Sequence, residues 1–521
     1  MTVNSISEML IEISRIHHEK QAVLSNGRTA TFGDLLCASS ELAGMLSALN
    51  FCKGDRLAIL SNNSIEYIEL FYTCALFGFI LVPLNHRLSV RELEENIKST
   101  SPRAIFYENK FLKESEALRV KCKSVSHWLG FSSKEKQSWA RVFSQENIAI
   151  TDPPNRDSKS DIASEILLLV FTSGSTGKPK AAAISQKALY GSAHEIRDTG
   201  EITTTDQGLI IQPLFHVGAN FLWLAHFAAG AEIRLEGKFD PLGCWNILSS
   251  TNITTVQLAP TMLEMMLTHP ARTSQITNLK TIFYSTAPIR EDLLRNAIRV
   301  FGNIFVQHYG STESGVVTTL NKSQHKIDGS SAEQLQLKSA GLVNAATQVK
   351  ITDDLLRELK ANEVGEIHVK HDFLFSGYWR NEASLRNPIE DDWFAMGDLG
   401  YMDEQGFLFI VDRKKDLIIS GGENIYPREL ELVLYNHPAI IECSVVGIPD
   451  ERWGESVLAE VVVNDKKIGE NELISYCKIH LASYKKPKRI VFRDDLPRLS
   501  TGKINKAKIK ALYWKNSKRS I

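Results

Sequence analysis

Short runs of apolar residues alternate along this chain with longer segments in which apolar residues recur every three or four positions. Runs of the first kind predict buried strands, and segments of the second kind predict amphipathic helices. Their alternation is typical of α/β proteins, in which helices cover the faces of a sheet. The predicted strands include residues 55–60, 166–171, 254–258, 281–284 and 304–306.

The longest apolar stretch, residues 70–84, predicts a buried helix that runs into a strand. It contains Thr73 and falls short of the roughly 20 residues that a membrane span needs. The N-terminal residues carry acidic side chains within an amphipathic pattern and lack the basic and apolar regions of a signal peptide. We therefore expect a soluble protein without a transmembrane segment.

The pattern changes near residue 412. Residues 403–406 form a predicted turn between two strand-like runs, and the charged segment Asp412-Arg413-Lys414-Lys415-Asp416 follows this hairpin. The remaining residues contain enough strand-like and helical runs for a small α+β domain. We predict a large domain over residues 1–411 and a small domain over residues 412–521, with residues 321–338 as a polar surface loop.

The length of the chain agrees with this division, and its net charge limits the kinds of partner that are expected. A chain of 521 residues is too long for one compact core. The 60 basic and 61 acidic residues give a net charge of −1, which does not favour nucleic acid as the main partner. The basic tail from Lys503 to Arg519 is interpreted as a solvated helix face.

The seven cysteines are scattered, odd in number and never in C-x-x-C spacing. This distribution argues against a disulfide framework and a zinc site, and it predicts a cytoplasmic location.

The sharpest local pattern directly follows the predicted strand 166–171. Its glycines allow a tight backbone with exposed N–H groups, its hydroxyls add donors, and its lysines add positive charge, so the composition suits a polyphosphate. The segment is not a Walker A loop, which requires Gly at position 172 and Ser or Thr at position 179. It reads Thr172, Ser173, Gly174, Ser175, Thr176, Gly177, Lys178, Pro179 and Lys180.

This segment is similar to the phosphate-binding motif of the adenylate-forming (AMP-binding) superfamily, which includes acyl-CoA synthetases, luciferases and peptide-synthetase adenylation domains. Further family motifs follow in order: Tyr309 to Glu313, Gly397-Asp398, Asp412 to Asp416, Gly421 to Asn424, and Ser500 to Lys503. The resemblance implies a large N-terminal domain of stacked sheets and helices and a small, mobile C-terminal domain. It also implies ATP, Mg²⁺ and coenzyme A as reactants or cofactors.

The resemblance implies a role for each matching residue of the large domain. Tyr309 and Gly310 would contact adenine, together with a loop that contains Ser285, Ala287 and Pro288. Thr312 would bind phosphate or nucleotide, and Glu313 would bind Mg²⁺, a hard cation that prefers oxygen ligands. Ala181 stands where the family commonly has Gly, and a methyl group there should be tolerated.

The resemblance places the remaining functions near the C-terminus. Asp398 would bind the ribose diol, and Arg413 the ribose or phosphates. Lys503 would stabilise the charge that builds up during adenylation, whereas Lys506, Lys508 and Lys510 are interpreted as ordinary tail lysines. Lys415 matches the hinge, and Gly421 and Gly422 match the loop that lines the pantetheine tunnel.

The predicted acid pocket begins at His216, Val217 and Gly218 and includes Gly315. Relatives that activate amino acids usually place an aspartate here, and this chain has Phe215-His216 instead. A carboxylic acid without an α-amino group is therefore favoured, and its chain is either aliphatic or aryl. His216 either gates the tunnel or packs.

The expected activity is that of an AMP-forming carboxylic acid–CoA ligase, with a place in fatty acid metabolism. An enzyme that loads a carrier protein is the main alternative. A luciferase-like oxygenase would share every motif. An inactive interaction protein would be expected to have lost Lys503, Glu313 or Asp398, and all three are present.

Overall fold

The protein divides into two compact units in a computed structural model. The model describes residues 4–135, 139–144, 161–172, 179–270, 276–380, 389–465, 467–498 and 503–514. The first unit comprises the described residues within Met1–Gly174, Lys178–Gln348 and Val369–Phe394. The second unit comprises those within Val349–His368 and Ala395–Ile521.

Helices and strands alternate through most of the first unit. Its helices are α1 (Ile6–Ile16), α2 (Phe32–Ala48), α3 (Ile65–Phe77), α4 (Val90–Thr100), α5 (Leu112–Lys121), α6 (Trp139–Ser144), α7 (Gln186–Thr199), α8 (Val217–Ala228), α9 (Pro241–Ser250), α10 (Pro260–Thr268), α11 (Glu291–Phe301) and α12 (Ser331–Gln336). Short 3₁₀ helices lie at Asn109–Phe111, Ile162–Ser164 and Lys322–Gln324.

One sheet of the first unit has six strands in the order β6-β5-β3-β4-β7-β8. Neighbouring strands are parallel except for the antiparallel pair β7 and β8. Its core includes Leu60, Val82 and Ile105, which are almost fully buried. The strands are β3 (Arg56–Leu60), β4 (Ile80–Pro83), β5 (Ala104–Glu108), β6 (His127–Phe131), β7 (Ile166–Thr172) and β8 (Lys180–Ser185).

The other sheet of this unit has nine strands in the order β15-β14-β13-β12-β11-β9-β10-β1-β2. Strands β9, β11, β12 and β13 are parallel neighbours, so the loops that follow them lie along one edge of the sheet. The strands are β1 (Gln21–Ser25), β2 (Arg28–Thr31), β9 (Gln207–Ile210), β10 (Glu232–Leu235), β11 (Thr255–Gln257), β12 (Thr281–Tyr284), β13 (Phe305–Ser311), β14 (Gly315–Leu320) and β15 (Leu342–Val343).

Helix ends follow local sequence signals. Thr31 and Asp34 form a capping box at the start of α2, and Ser89 and Glu92 form another at the start of α4. Gly78 ends α3 with a φ of 78°, a left-handed conformation that glycine adopts without steric cost. The predicted helix and strand of residues 70–84 are thus confirmed as α3 and β4.

Two further sheets contain the remaining strands. In the first, β17 lies between β16 and β19, and β20 pairs with β19. In the second, the order is β22-β21-β24-β23, with β25 beside β24. The elements are β16 (Gln348–Thr352), β17 (Gly365–Lys370), β18 (Ile389–Glu390), β19 (Trp393–Met402), β20 (Leu408–Arg413), β21 (Ile418–Ser420), β22 (Glu423–Ile425), α13 (Pro427–Tyr435), β23 (Ile440–Asp450), β24 (Gly454–Val463), α14 (Glu470–His480), β25 (Arg489–Phe492), α15 (Lys506–Trp514) and a 3₁₀ helix at Lys414–Asp416.

The architecture confirms the predicted fold class, an α/β protein with a large N-terminal part and a smaller C-terminal part. The hairpin predicted around residues 403–406 is formed by β19 and β20. The predicted loop at 321–338 is wrong in part, because Ser330 and Glu333 form a capping box that starts α12. The domain boundary at 411/412 stays a prediction; it falls inside β20.

Two features are absent from the described residues. No helix among them is long and apolar enough to cross a membrane. Within the same part of the chain, no group of three or more His, Cys, Asp or Glu side chains is arranged to hold a metal ion.

Glu69 on α3 is a partly buried carboxyl group with a perturbed pKa. Trp139 Nε1 donates a hydrogen bond to Glu69 Oε2 at 2.9 Å. Burial, and then the negative charge of Glu66, raise the pKa of Glu69 to about 8, although Trp139 and Arg28 act in the opposite direction. The neutral form of Glu69 is therefore the one that the fold favours.

We predict that this carboxyl group destabilises the fold above neutral pH. Because the pKa of Glu69 is raised on folding, its stabilising contribution is complete below pH 4.5 and is lost as pH rises to about 8. Glu69→Gln should therefore raise the free energy of unfolding by roughly 1–3 kcal/mol at pH 8.5 and change it little at pH 4.5. Urea unfolding at both pH values tests this, with the exposed Glu116→Gln as control. A gain of equal size at both pH values would contradict the prediction.

Candidate active site

The predicted phosphate-binding segment begins and ends on a β-hairpin. Thr172 is the last residue of β7 and lies opposite Lys180, the first residue of β8. Six predicted phosphate-binding residues lie outside the described residues: Ser173, Gly174, Ser175, Thr176, Gly177 and Lys178. The Lys180 ammonium is 5.0 Å from the centroid of the Tyr378 ring, a distance at which a cation is attracted to the ring face.

Glu313 lies in the tight turn between β13 and β14. The turn is held by Ser311 Oγ, which accepts hydrogen bonds from the backbone N–H groups of Glu313 and Ser314 at 3.2 and 3.1 Å. The hydroxyl of Tyr378 donates to Glu313 Oε1 at 3.0 Å. One tyrosine therefore joins the two sides of this cluster, Glu313 at its hydroxyl and Lys180 at its ring.

Main-chain hydrogen bonds fix Tyr378 in that position. Ser376 N donates to Ala183 O at 2.7 Å, and Trp379 N donates to Ala181 O at 2.8 Å, so residues 376–379 run beside β8. Burial, and then the negative charge of Glu313, raise the pKa of Tyr378, which keeps its hydroxyl protonated as a donor.

Tyr309 and Gly310 lie at the end of β13, where the register of the pair β13 and β14 shifts. A Cβ atom on Gly310 would approach the carbonyl oxygen of Gly315 to 1.8 Å, so only glycine fits there. Tyr309 is half-buried, and Thr312 is partly exposed in the following turn.

The predicted adenine loop follows the neighbouring strand, β12. Ser285 Oγ accepts a hydrogen bond from Gln257 Nε2 at 2.7 Å, while Ala287 and Pro288 are exposed. Thr286 has a φ of 74°, which is rare for a β-branched residue. Such strain concentrates at functional sites.

The predicted entrance of the acid pocket follows β9 on the same sheet edge. His216 is the residue before α8, Val217 is buried, and a Cβ atom on Gly218 would meet nothing within 4 Å. A Cβ atom on Gly315 would approach Ser192 Oγ to 2.3 Å, so α7 closes the space beside Gly315.

The side chains of two buried asparagines form hydrogen bonds with the backbone of this predicted entrance. Asn63 Oδ1 accepts from Leu214 N at 2.9 Å, and Asn63 Nδ2 donates to Gln212 O at 2.9 Å. Asn220 Nδ2 donates to Leu214 O at 2.7 Å and to His216 O at 3.1 Å. The entrance therefore has a fixed backbone.

Val316, the residue after Gly315, lines a small cavity. The atom His371 Nε2 on its wall is buried and has no hydrogen-bond partner among the protein atoms. Its wall combines small, apolar and polar side chains, contributed by Gly191, Ser192, Glu195, Val316, Ala346, Thr347, His371 and Phe373.

In the second unit, Asp398 and Arg413 face each other across the hairpin of β19 and β20. Arg413 Nε is 2.7 Å from Asp398 Oδ1, and the Asp398 side chain is only 5% exposed. The sequence placed both residues on this hairpin, and the structure joins them in an ion pair.

Lys503 belongs to the same cluster. It is exposed as a residue, yet the protein atoms around its ammonium group desolvate it and lower its pKa. The guanidinium of Arg413 lowers this pKa further, whereas the carboxylate of Asp398 raises it. The second unit therefore holds two cations and one anion together.

Two of the three tail lysines are not the solvated side chains that the sequence suggested. Lys506 Nζ lies 2.8 Å from Glu431 Oε1, and Lys510 Nζ lies 3.4 Å from Glu455 Oε1. Lys508 is exposed, as expected. Isolated lysines in a basic tail gave no sign of these partners, because both acids are distant in sequence.

The remaining C-terminal candidates are the predicted hinge residue and the two glycines of the turn between β21 and β22. Lys415 is exposed within the 3₁₀ helix Lys414–Asp416. Gly421 and Gly422 have φ values of 62° and 88°, which glycine adopts at no steric cost. A Cβ atom on Gly421 would approach the ring of Trp453 to 2.5 Å, whereas none would meet the protein at Gly422.

Sequence reasoning missed Tyr378, Asn63 and Trp453. Gly377, with a φ of 101°, precedes Tyr378, and an aromatic residue after glycine was the only local signal for it. Asn63 and Trp453 carry no local signal, since their partners at residues 212–214 and 421 are remote in the chain.

Comparison with known proteins identifies the family of this chain. The family described as AMP-binding enzyme matches residues 12–379, more than half of the chain, and the AMP-binding enzyme C-terminal domain matches residues 429–503. The chain belongs to the AMP-binding enzyme family. The predicted resemblance and the predicted class, an AMP-forming acid–thiol ligase, are confirmed.

Relatives in this family are similar over nearly the whole chain. The fatty acid–acyl-carrier-protein ligase ScoC of Streptomyces coeruleorubidus is 32% identical over 99% of this chain and 98% of its own. The long-chain-fatty-acid–CoA ligase FadD13 of Mycobacterium tuberculosis is 30% identical over 93% of each chain. The indoleacetate–CoA ligase of Aromatoleum aromaticum is 32% identical over 97% of this chain and 98% of its own.

Solved structures share the fold. The o-succinylbenzoate CoA synthetase MenE of Bacillus subtilis, in complex with its acyl-adenylate intermediate, superimposes with a TM-score of 0.83 at 29% identity and covers 96% of this chain and 97% of its own. ATP-bound MatB of Rhodopseudomonas palustris gives a TM-score of 0.86 at 25% identity over 98% of this chain and 99% of its own.

The charges around Lys503 predict opposite effects of two substitutions. Asp398→Asn removes the charge that raises the pKa of Lys503 and should lower that pKa further. Arg413→Met removes a repelling charge and should raise the pKa toward the ordinary lysine value. Both pKa shifts can be measured from the pH dependence of Lys503 acylation by a small amine-reactive acylating reagent, followed by peptide mass spectrometry. Shifts in the same direction in both variants would show that the cluster is not arranged as described.

Proposed function

We propose that this protein is an ATP-dependent, AMP-forming carboxylic acid–CoA ligase. The single observation that carries the proposal is the cluster in which Tyr378 joins Glu313 to Lys180 at the end of the phosphate-loop hairpin. A carboxylate and a cation on either side of one ring suit a bound metal–polyphosphate. Lys180 is also the last residue of the predicted phosphate-binding segment and lies opposite its first residue, Thr172.

Glu313 is the residue proposed to bind Mg²⁺. Magnesium usually takes one or two carboxylates together with substrate phosphate oxygens, so a single carboxylate fits such a site. The described residues contain no dedicated cage of acidic side chains, which agrees with a metal that arrives with ATP. Bound Mg²⁺ would neutralise phosphate charge. Tyr378 orients the Glu313 carboxylate, and Thr312 is proposed to donate to a phosphate oxygen.

The nucleoside is proposed to lie between the two loops of the sheet edge. Tyr309 and Gly310 would contact adenine on one side, and Ser285, Ala287 and Pro288 on the other. Strands β12 and β13 are parallel neighbours, which supports two loops close enough to hold one ring.

Lys503 is proposed to act in the first half-reaction. The acid oxygen attacks the α-phosphate, a new C(O)–O–P linkage forms, and the bond to pyrophosphate breaks. Negative charge grows on the phosphate and the departing pyrophosphate, and an ammonium group placed there stabilises the transition state more than the ground state. Asp398 is proposed to accept hydrogen bonds from the ribose diol beside Arg413.

The second half-reaction is proposed to use the hinge and the glycine loop. Lys415 would be the pivot between the parts 1–411 and 412–521, and Gly421 and Gly422 would line the pantetheine channel. The open Cβ direction at Gly422 supports a close approach of a thin ligand. The CoA thiolate then attacks the acyl carbonyl and AMP leaves.

The substrate is proposed to be a simple aliphatic or aryl acid. No acidic side chain stands at residues 213–218, where an amino acid's ammonium would need one. The similar enzymes of Mycobacterium tuberculosis and Aromatoleum aromaticum are named for a long-chain fatty acid and for indoleacetate. A role in fatty acid metabolism and a cytoplasmic location stay predictions.

A second candidate acceptor is a carrier protein. ScoC, which is 32% identical, is named for an acyl-carrier-protein. Both acceptors present a pantetheine thiol, so the chemistry of the second half-reaction would be the same.

We predict that ATP, Mg²⁺ and a suitable acid yield acyl-adenylate and pyrophosphate, and that AMP and thioester are formed in equal amounts when CoA is present. A screen of acids of graded length and of aryl acids, each with CoA, with a pantetheinylated carrier protein and with neither, measures pyrophosphate release. ADP and inorganic phosphate as products would refute an adenylate. Thioester on the carrier protein alone would favour the second candidate.

Lys503 and Gly422 should affect different half-reactions. Lys503→Ala should slow acid-dependent exchange of pyrophosphate into ATP by on the order of 10²-fold, and should leave thioester formation from supplied acyl-adenylate largely intact. Gly422→Leu should do the reverse. Gly422→Ala carries the same backbone strain without the bulk and serves as control. If Gly422→Leu made thioester as fast as Gly422→Ala, the assignment of the channel would be wrong.

A further inference from the structure

Lys506, three residues after Lys503, makes a largely buried ion pair. Its Nζ lies 2.8 Å from Glu431 Oε1 on α13, and the two side chains are 22% and 16% exposed. The same carboxylate oxygen accepts a hydrogen bond from Val445 N at 2.8 Å. This pair therefore joins the first residue of α15 to α13 and β23.

Two carboxylates of the predicted hinge, Asp412 and Asp416, also act on the charge of Lys506. Burial alone would lower the pKa of Lys506, but Glu431, Asp412 and Asp416 outweigh it and raise the pKa. Asp412 accepts hydrogen bonds from Arg413 N at 2.7 Å and from Arg428 N at 2.8 Å. The Lys506 charge is thus held between α13 and the segment that carries Arg413.

Several contacts hold the chain that follows Lys503. Ile504 forms a β-bridge with Arg498, and Asn505 N donates to Pro497 O at 2.7 Å. Asn505 Oδ1 accepts from Lys508 N at 3.0 Å and so caps α15. Ile509 is fully buried against Val446 and Leu458. The position of Lys503 therefore depends on how the start of α15 is seated.

We propose that Lys506 is a positioning residue: its ion pair with Glu431 seats the start of α15 so that Lys503 stays beside Asp398 and Arg413. The proposal rests on the proposed function, in which Lys503 acts in adenylation. Lys506 itself touches no substrate. A misplacement of about 1 Å at a catalytic group can cost on the order of 10² in rate.

The test separates positioning from folding. Lys506→Met leaves the Glu431 charge buried and unpaired, which destabilises a fold. The double variant Lys506→Met with Glu431→Gln removes both charges and keeps the acceptor for Val445 N. We expect the double variant to unfold at nearly the parental temperature, to lose pyrophosphate exchange by about 10- to 100-fold, and to keep thioester formation from supplied acyl-adenylate. Lys506→Arg should restore most of the exchange, and Lys508→Met should match the parent.

A readout that needs no catalysis accompanies the assays. In the double variant, the pH dependence of Lys503 acylation should move toward that of an exposed lysine. In the Lys508→Met variant, this pH dependence should be unchanged. An unchanged Lys503 profile, parental exchange, or an equal loss in both half-reactions would overturn the positioning role. A shifted profile in a protein whose parent shows no exchange with any acid would support positioning and contradict the proposed function.

Discussion

The parallel alignment of β9, β11, β12 and β13 is the constraint on which the first unit's site depends. Parallel neighbours place the loops after their carboxyl ends on one edge, so three segments far apart in sequence share that edge. They are the entrance at residues 213–216, the strained loop at 285–288 and the turn that carries Glu313. Hydrogen bonds then hold the individual loops: Ser311 acts within its own turn, and Asn63, which is remote in sequence, holds the backbone of the predicted entrance.

Local sequence signals predicted much of the fold, because they act over a few residues. Apolar runs predicted the buried strands, and the turn at 403–406 predicted the hairpin of β19 and β20. The error at residues 321–338 came from reading polarity as a loop, although Ser330 and Glu333 carry a capping pattern that starts a short helix.

The candidate site was predictable where a residue belongs to an ordered motif, as with Glu313, Asp398 and Lys503. It was not predictable where a residue acts through a partner that the fold brings near. Tyr378 contacts a glutamate 65 positions away, and Lys506 pairs with Glu431 across another long separation. A lysine in a basic tail and a lysine in a buried ion pair look alike in sequence, since burial depends on packing that no local pattern encodes.

At the predicted entrance of the acid pocket, the residues that hold the backbone are different from the residue that faces open space. Asn63 and Asn220 form hydrogen bonds with the main chain of residues 212–216, and Asn220 is fully buried. Gly218 contributes no side chain, and the space in its Cβ direction is open. If Gly218 lines the acid pocket as proposed, single substitutions at position 218 would change the depth of that pocket. The scaffold tolerates such change because no supporting hydrogen bond runs through the side chain that varies.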